Sequence, residues 1–286
     1  MAVYERTWRR YDGPQTRLSR RPLVITRFAL ADAFGSRAFT GFYVLAFLPS
    51  LVGLVLVYLS HNAGLLQSIG LDTEFVSGLT MAFFRVLFVW QAVPAFILAV
   101  IVAPGLIAPD LSDNALPLYL GRPITRTGYV LGKMGVLAVL LSPVTWIPGL
   151  AVFLLQAILE GGGWGWQHRN IGLAYLVGHL VWIVVISLLT LAISTLVRHK
   201  PAARGALFGI IFVLSAFAEL VSGVTGSRLG QLLDPTECIF YVVMHLFDAA
   251  PPGAPPAAGA WLTLLATSLL SVWILSRKLR PHEVVS

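Results

Sequence analysis

Long stretches without a charged side chain alternate with short polar or basic segments along this chain. A helix of about 20 apolar residues crosses the ~30 Å hydrocarbon core of a bilayer. The pattern therefore predicts an all-α fold, a polytopic integral membrane helix bundle with six transmembrane helices. The expected spans are about Phe39–Leu59, Val86–Ile107, Val130–Leu159, Ile171–Val197, Ala206–Ser222 and Ala260–Leu275.

Composition excludes a soluble protein of this length. Hydrophobic residues make up 57% of the 286 residues and charged residues only 12%, which is half of the ~25% that is usual in soluble domains. So few charges could not cover the surface of a soluble globule. The single cysteine, Cys238, excludes an intrachain disulfide and a cysteine-based metal cluster.

The basic residues divide unequally between the two sides that six spans create. Of the 20 Lys and Arg residues, all but Arg85, Arg169 and Arg228 fall on the side that carries both termini. Because cytoplasmic segments are enriched in Lys and Arg, we expect both termini in the cytoplasm. The net charge of +7 is then a topology signal, and we expect no nucleic-acid partner.

The spans divide the chain into three parts: a cytoplasmic segment at 1–38, a transmembrane domain at 39–275 and a cytoplasmic tail at 276–286. Within the first part, Pro22–Arg37 is expected to form an amphipathic helix along the cytoplasmic headgroups, with its arginines toward anionic membrane lipid. An ordinary cytosolic helix is the alternative. The apolar residues that recur at the helical period are Val24, Phe28, Ala31 and Phe34.

An apolar piece, Ile239–Phe247, precedes the last span. Its nine residues are too few to cross a bilayer as a helix. We expect an interfacial or re-entrant helix on the outer side, within 236–250. A loop helix folded onto the other spans is the alternative.

Two ionisable side chains lie inside predicted spans. Glu219 is ~21 Å along the fifth helix from its cytoplasmic start, and His179 is ~12 Å from the outer end of the fourth. Ionisable residues inside a membrane are functional candidates by default, and this pair would lie at similar depth. Alternatively, Glu219 reaches the outer headgroups and His179 hydrogen-bonds a neighbouring carbonyl.

Small residues at Gly205 and Gly209 form a G-x-x-x-G motif at the base of the fifth span. Glycines at this spacing let two membrane helices approach closely. The motif predicts a helix–helix contact, such as the seam of a homo- or heterodimer.

Enzyme motifs are missing from the sequence. It contains no phosphate-binding loop, no H-E-x-x-H zinc motif and no G-x-S-x-G nucleophile elbow. We therefore expect neither a directly bound cofactor or metal nor catalysis by the chain itself, and ATP with its Mg²⁺ would have to bind elsewhere.

The stretch between the second and third spans, the 108–129 loop, mixes acids, bases and apolar residues. Because it lies on the cytoplasmic side, its leucines and tyrosine must be buried against something other than lipid. That composition predicts a short helix docked to a soluble partner. We expect Leu111, Leu118 and Tyr119 in the contact, with Arg122 and Arg126 at its rim.

This loop resembles the first cytoplasmic loop of the ABC type 2 permeases, the membrane subunits of ATP-binding-cassette exporters. The resemblance also covers the six spans, the N-terminal helix and the outer apolar segment. It implies a dimer of permease chains in a bacterial cytoplasmic membrane, paired with two ATPase subunits that bind ATP and Mg²⁺. The matching positions are Asp110, Leu118, Tyr119, Leu120, Arg122, Pro123, Arg126, Tyr129, Gly132 and Lys133.

Two other functions stay open at this point. A permease-like scaffold would use its ATPase to drive a conformational signal or the assembly of a membrane complex, without transport. An integral-membrane enzyme that modifies lipid would use His179 and Glu219 as acid and base. The missing nucleophile and metal motifs disfavour the enzyme.

Overall fold

A computed structural model describes residues 17, 20–62, 64–65, 81–113, 115, 119, 124–197 and 199–279. Within this part of the chain every regular element is a helix, as predicted. Six helical segments are long and apolar enough to cross a membrane, which confirms the predicted number of spans. They are Arg37–Ser60, Met81–Ser112, Arg126–Glu160, Arg169–Ser194, Pro201–Thr225 and Ala257–Lys278.

We label the helices α1 to α11 in chain order. The first span consists of α2 and α3, and the third consists of α5 and α6, while α4, α8, α9 and α11 each form a whole span. Their bounds are α1 Arg21–Phe34, α2 Arg37–Leu45, α3 Leu48–Ser60, α4 Met81–Ser112, α5 Arg126–Leu141, α6 Trp146–Glu160, α7 Trp164–Gln167, α8 Arg169–Ser194, α9 Lys200–Thr225, α10 Pro235–Leu246 and α11 Ala257–Lys278.

Helix α8 lies at the centre of the bundle. It packs against α4, α5, α6, α10 and α11. Two thirds (67%) of its most apolar stretch is buried inside the chain, whereas only 11% of the corresponding stretch of α9 is buried. Helix α9 therefore presents most of its surface to the surroundings of the chain.

Helices α4 and α8 run parallel to each other. Phe88 packs against Gly178 in the first half of both helices, and the Ser194 hydroxyl lies 3.4 Å from the Pro104 carbonyl oxygen toward their ends. We call the end of the bundle where α4 finishes, at Ser112, the loop end. The opposite end, where α4 and α8 begin, is the far end.

Helix α1 packs lengthwise against the loop-end half of the third span. The Thr26 hydroxyl donates to the Gly132 carbonyl of α5 at 2.8 Å. A Cβ atom on Gly132 would lie 2.9 Å from the Pro22 carbonyl oxygen, and one on Gly135 would lie 2.9 Å from the Thr26 hydroxyl. The two helices approach this closely because both positions of α5 are glycine.

The face of α1 that contacts α5 is not the face formed by the periodic apolar residues. Ile25 and Thr26 are buried against the bundle, whereas Val24 and Phe28 are 41% and 71% exposed. The periodic apolar residues are thus exposed on the surface of the described chain. Placement of α1 along a membrane surface stays a prediction.

The first and third spans are each interrupted near the middle, although the sequence predicted one continuous helix for each. Pro49 lies in the first turn of α3, and Pro143 lies in the 3-10 turn Ser142–Val144 that separates α5 from α6. Proline lacks the N–H group that a helix needs and crowds the preceding turn. Proline alone does not decide the outcome, because α4 continues through Pro94, Pro104 and Pro109.

Side chains bind the carbonyl groups beside the break in the third span. The Tyr43 hydroxyl of α2 donates to the Leu140 carbonyl at 3.1 Å, and the Thr145 hydroxyl donates to the Leu141 carbonyl at 2.8 Å. Backbone polar groups inside a membrane need such partners. The contact from Tyr43 also links the two interrupted spans.

The apolar segment before the last span forms helix α10, which is folded onto the other spans. It packs against α8 and α11, with Val242 and Phe247 fully buried. Val243 packs against Gly178, which is nine residues, or about 13 Å, along α8 from its start. Helix α10 therefore reaches well into the far-end half of the bundle.

Candidate functional site

The last turn of α4 carries an acidic residue that is paired inside the chain. The Lys133 ammonium of α5 lies 2.8 Å from Asp110 Oδ2, and the Tyr129 hydroxyl donates to the same oxygen at 2.6 Å. Tyr129 and Lys133 of the third span therefore converge on Asp110 of the second span, and all three stand at positions of the permease-like motif. We call Asp110, Tyr119, Tyr129 and Lys133 the anchor cluster.

Local sequence explains why α5 presents two partners to Asp110. Tyr129 and Lys133 are four residues apart, so they lie on one face of a helix. Thr125 caps this helix, since its hydroxyl accepts from the Gly128 N–H at 3.0 Å. The cap sets where α5 begins and thus the height of both side chains beside α4.

Tyr119, inside the 108–129 loop, completes the anchor cluster. Its ring centroid lies 5.5 Å from that of Tyr129. The Lys133 ammonium lies 5.9 Å from the Tyr119 ring centroid and 5.3 Å from that of Tyr129, within the range of a cation–π interaction. Contact with the anchor cluster thus fixes this point of the loop against the ends of the spans.

Backbone hydrogen bonds carry the chain from α4 toward Tyr119. The Ala115 N–H donates to the Asp110 carbonyl at 2.9 Å, and the Tyr119 N–H donates to the Ala115 carbonyl at 3.2 Å. Partial burial and the nearby Asp110 carboxylate raise the pKa of the Tyr119 phenol. The phenol therefore stays protonated, and neutral, at physiological pH.

The charge pair in the anchor cluster is shielded from solvent. The Lys133 and Asp110 side chains are 6% and 15% exposed. A buried ion pair contributes little net stability, but removing one partner costs several kcal/mol because the other charge is left unpaired. The pair therefore requires the end of α4 and the start of α5 to stay in one arrangement.

The other predicted residues of the loop have different surroundings. Leu111 is half-buried and packs against the chain's own hydrophobic core, and Tyr119 is half-buried there too. Arg126 is exposed at the start of α5, as a rim residue would be. Leu118, Leu120, Arg122 and Pro123 lie outside the described residues.

The two intramembrane candidates have different environments. His179 is fully buried; its ring centroid lies 3.8 Å from that of Phe88, with the ring planes tilted by 38°, and its Nδ1 lies 3.1 Å from the Tyr175 carbonyl oxygen. Glu219 is exposed on α9. No hydrogen bond or ion pair joins these two described residues, so the structure does not assemble them into an acid–base site.

Gly205 and Gly209 lie on an open surface of α9. A Cβ atom at either position would have nothing within 4 Å inside the chain. The predicted contact at this motif is therefore not made by another described helix of the same chain. Contact with a second chain stays a prediction.

The sequence did not predict a series of hydrogen-bonded polar side chains inside the spans. The Tyr175 hydroxyl donates to Gln91 Oε1, and the Gln91 amide donates to the Ser50 hydroxyl at 2.6 Å. All three residues are buried. The signal was one glutamine in an otherwise apolar span, but its partners are 41 and 84 residues away and no local pattern points to them.

The described residues contain no group of three or more His, Cys, Asp or Glu side chains that could hold a metal ion. No protein-family model and no curated protein matches the chain.

Proposed function

We propose that this chain is the membrane-spanning permease subunit of an ATP-binding-cassette transporter, which moves a substrate with ATP hydrolysed by a separate ATPase. The observation that carries the proposal is the anchor cluster. Four residues at positions of the permease-like motif, spread over 24 residues of chain (110 to 133), meet around one buried ion pair. Such a meeting gives a physical reason for the motif's residue types.

The anchor cluster suits a loop that receives force from a partner. Tyr119, which belongs to the 108–129 loop, packs on Tyr129 of the third span, and the Asp110–Lys133 pair joins the ends of the second and third spans. A push on the loop would thus pass to both spans instead of bending a flexible linker. ATP binding by the partner would then shift the bundle between two packings.

The exposed surface of α9 supports a second permease chain as a further partner. Phe212, Val213 and Val224 are 75%, 63% and 81% exposed, and the open G-x-x-x-G motif lies on the same helix. Lipid would cover this surface in a single chain. In a dimer, the open glycines would let a helix of the second chain approach closely.

Site-specific cross-linking tests the ATPase contact. A photoreactive amino acid placed at Tyr119 should cross-link to an ATP-binding-cassette ATPase subunit in the organism's own membranes. The same probe at Trp166, which is 75% exposed at the far end, should not. Equal yields from both positions, or no ATPase adduct from the probe at Tyr119, would contradict the proposal.

The proposed topology puts both termini and the loop end in the cytoplasm. In a variant whose natural Cys238 is replaced by Ala, single cysteines at Gly165 and Arg228 should react with an impermeant thiol reagent added outside intact cells. Cysteines at Arg122 and Lys200 should react only after the membrane is opened. The reverse pattern would remove the cytoplasmic ATPase contact.

Transport and the scaffold alternative separate in a reconstituted system. Proteoliposomes that contain the chain with its ATPase should accumulate or release a substrate in step with ATP turnover. ATP turnover with no net movement of candidate amphipathic substrates, together with a third stably bound protein, would favour the scaffold.

A further inference from the structure

A cleft of about 480 Å³ opens between α4 and α10 at the far end of the bundle. This volume falls within the range of small-molecule binding sites. Apart from one arginine, the described side chains that line the cleft are apolar. The lining includes Arg85, Val86, Val89, Trp90, Phe240 and Met244.

Arg85 is the cation of this cleft. It is half-buried, and among the described residues it forms neither an ion pair nor a hydrogen bond. A guanidinium has five N–H donors in a planar fork that matches phosphate and carboxylate groups. Its position thus offers an anion-binding group beside an apolar wall.

The depth of Arg85 follows from the length of α4. The middle of the 32-residue helix lies between Phe96 and Ile97, so Arg85 is about 17 Å from it at 1.5 Å per residue. The hydrocarbon core extends ~15 Å from its own centre. In a span centred on the membrane, Arg85 therefore lies at the level of the lipid headgroups.

The apolar wall of the cleft continues from Arg85 toward the membrane centre. Val89 and Trp90 follow about one turn deeper on α4, with 38% and 57% of their surfaces exposed, and Phe240 faces the same cleft from α10 with 40% exposed. Apolar surface that stays open inside a concave cleft is suited to bind an apolar chain.

We propose that this cleft binds an anionic phospholipid. The lipid phosphate pairs with the Arg85 guanidinium, and one acyl chain lies along Val89, Trp90 and Phe240. The one cation in the described lining of the cleft and the apolar wall below it match the two parts of such a lipid in the correct order. The site exists whether or not the chain works with an ATPase.

Native mass spectrometry of the full-length chain tests the headgroup contact. The chain is purified in mild detergent with equal amounts of phosphatidylglycerol and phosphatidylcholine, and the ratio of the two retained lipids is measured. Arg85→Gln should lower the preference for phosphatidylglycerol about tenfold, the change that 1.4 kcal/mol produces. Arg169→Gln is the matched control, because Arg169 is a far-end arginine that lies over Trp166 and outside the cleft.

Fluorescence tests the acyl-chain contact. In vesicles of phosphatidylcholine with a small fraction of phosphatidylglycerol, only the phosphatidylglycerol carries brominated acyl chains, which quench tryptophan. Trp90 should account for a saturable part of the quenching, so Trp90→Phe should remove that part. Arg85→Gln should shift its half-saturation to about tenfold more brominated lipid.

Three results would overturn the proposal. Equal loss of phosphatidylglycerol preference in Arg85→Gln and Arg169→Gln would mean that the preference comes from net charge. Unchanged saturable quenching in Trp90→Phe would place the acyl chain elsewhere. Loss of a dimer with unchanged lipid retention in the purified Val89→Trp variant would show that the cleft is a contact between two copies of the chain.

Discussion

Two basic side chains, Lys133 and Arg85, lie near opposite ends of the bundle and differ in burial and in ion pairing. Lys133 is 5% exposed and lies 2.8 Å from the Asp110 carboxylate. Arg85 is half-buried at the mouth of an apolar cleft and has no ion-pair partner among the described residues. Lys133 is thus paired inside the chain, whereas Arg85 is paired with none of the described residues.

This difference indicates what each end of the bundle is built to do. A buried pair has a low tolerance for rearrangement, because separating the charges leaves at least one of them desolvated and alone. It suits a junction that must transmit a movement without deforming. A cation that is paired with no described residue, and that lies beside an open apolar cleft, is available to bound anions and water, so it suits binding.

The largest expected effect comes from removing the carboxylate of the paired end. Asp110→Asn leaves the Lys133 charge buried with only a neutral neighbour, and we expect the free energy of unfolding to fall by about 3–5 kcal/mol. Denaturation of the chain in mild detergent measures the loss. Asp113→Asn is the control, since Asp113 is exposed three residues away and should change stability by less than ~0.5 kcal/mol.

A double substitution sharpens this test. Asp110→Asn combined with Lys133→Met removes both charges and should recover much of the stability that Asp110→Asn loses. If the double variant is as unstable as the sum of the single variants, the two side chains do not interact and the anchor cluster is not an ion-paired junction.

The next effect compares the two basic residues directly. Lys133→Met leaves Asp110 with its hydrogen bond from Tyr129 but without a counter-ion, and we expect a loss of about 2 kcal/mol. Arg85→Met should change the free energy of unfolding in lipid-free detergent by less than ~0.5 kcal/mol. Equal losses in the same denaturation experiment would erase the contrast between the two ends.

The smallest effect is expected from glycine-to-alanine substitutions, at a glycine packed against another helix of the chain and at a glycine with no neighbour within the chain. Gly132→Ala puts a Cβ atom 2.9 Å from the Pro22 carbonyl oxygen, so α1 must shift, at a cost of about 1 kcal/mol. Hydrogen exchange of α1 should become faster. The Cβ atom of Gly205→Ala meets no atom within 4 Å. This variant should leave the hydrogen exchange of α1 unchanged, and it should leave the free energy of unfolding unchanged or raise it slightly, because alanine favours a helix more than glycine does.

A bulkier change at the open glycines tests the predicted second chain. Gly209→Leu should reduce the recovery of a dimer in native mass measurements, because a large side chain holds two helices apart. Monomer stability should not fall. An unchanged dimer fraction would show that the G-x-x-x-G motif is not part of the contact.

The sequence was sufficient for the spans because the membrane imposes a simple rule on them. Uncharged runs of about 20 residues identify spans, and all six predicted spans overlap the observed ones. Helix breaks were harder to predict, since the helix of the third span is interrupted at Pro143 whereas α4 continues through Pro104. Whether a proline breaks a helix depends on which neighbours can bind the backbone groups it frees.

Contacts between distant residues could not be derived from local patterns. Asp110 and Lys133 are 23 positions apart, and Thr26 and Gly132 are 106 apart. Periodicity identified Val24 and Phe28 as one face of α1, but the face buried on α5 is set by the glycines of α5. The resemblance named the residues of the anchor cluster without indicating that they meet.

ATP turnover by the chain assembled with the proposed ATPase partner, measured with Tyr119→Ala, is the most direct test of the coupling role. Tyr119 joins the loop to the anchor cluster, and truncating one buried interface anchor costs about 2 kcal/mol or more. We predict that Tyr119→Ala loses the proposed ATPase partner or its stimulation while the chain still inserts into the membrane, and that Arg126→Ala has a smaller effect that shrinks as salt rises. Full ATPase stoichiometry with unaltered ATP turnover in Tyr119→Ala would contradict the coupling role of the 108–129 loop.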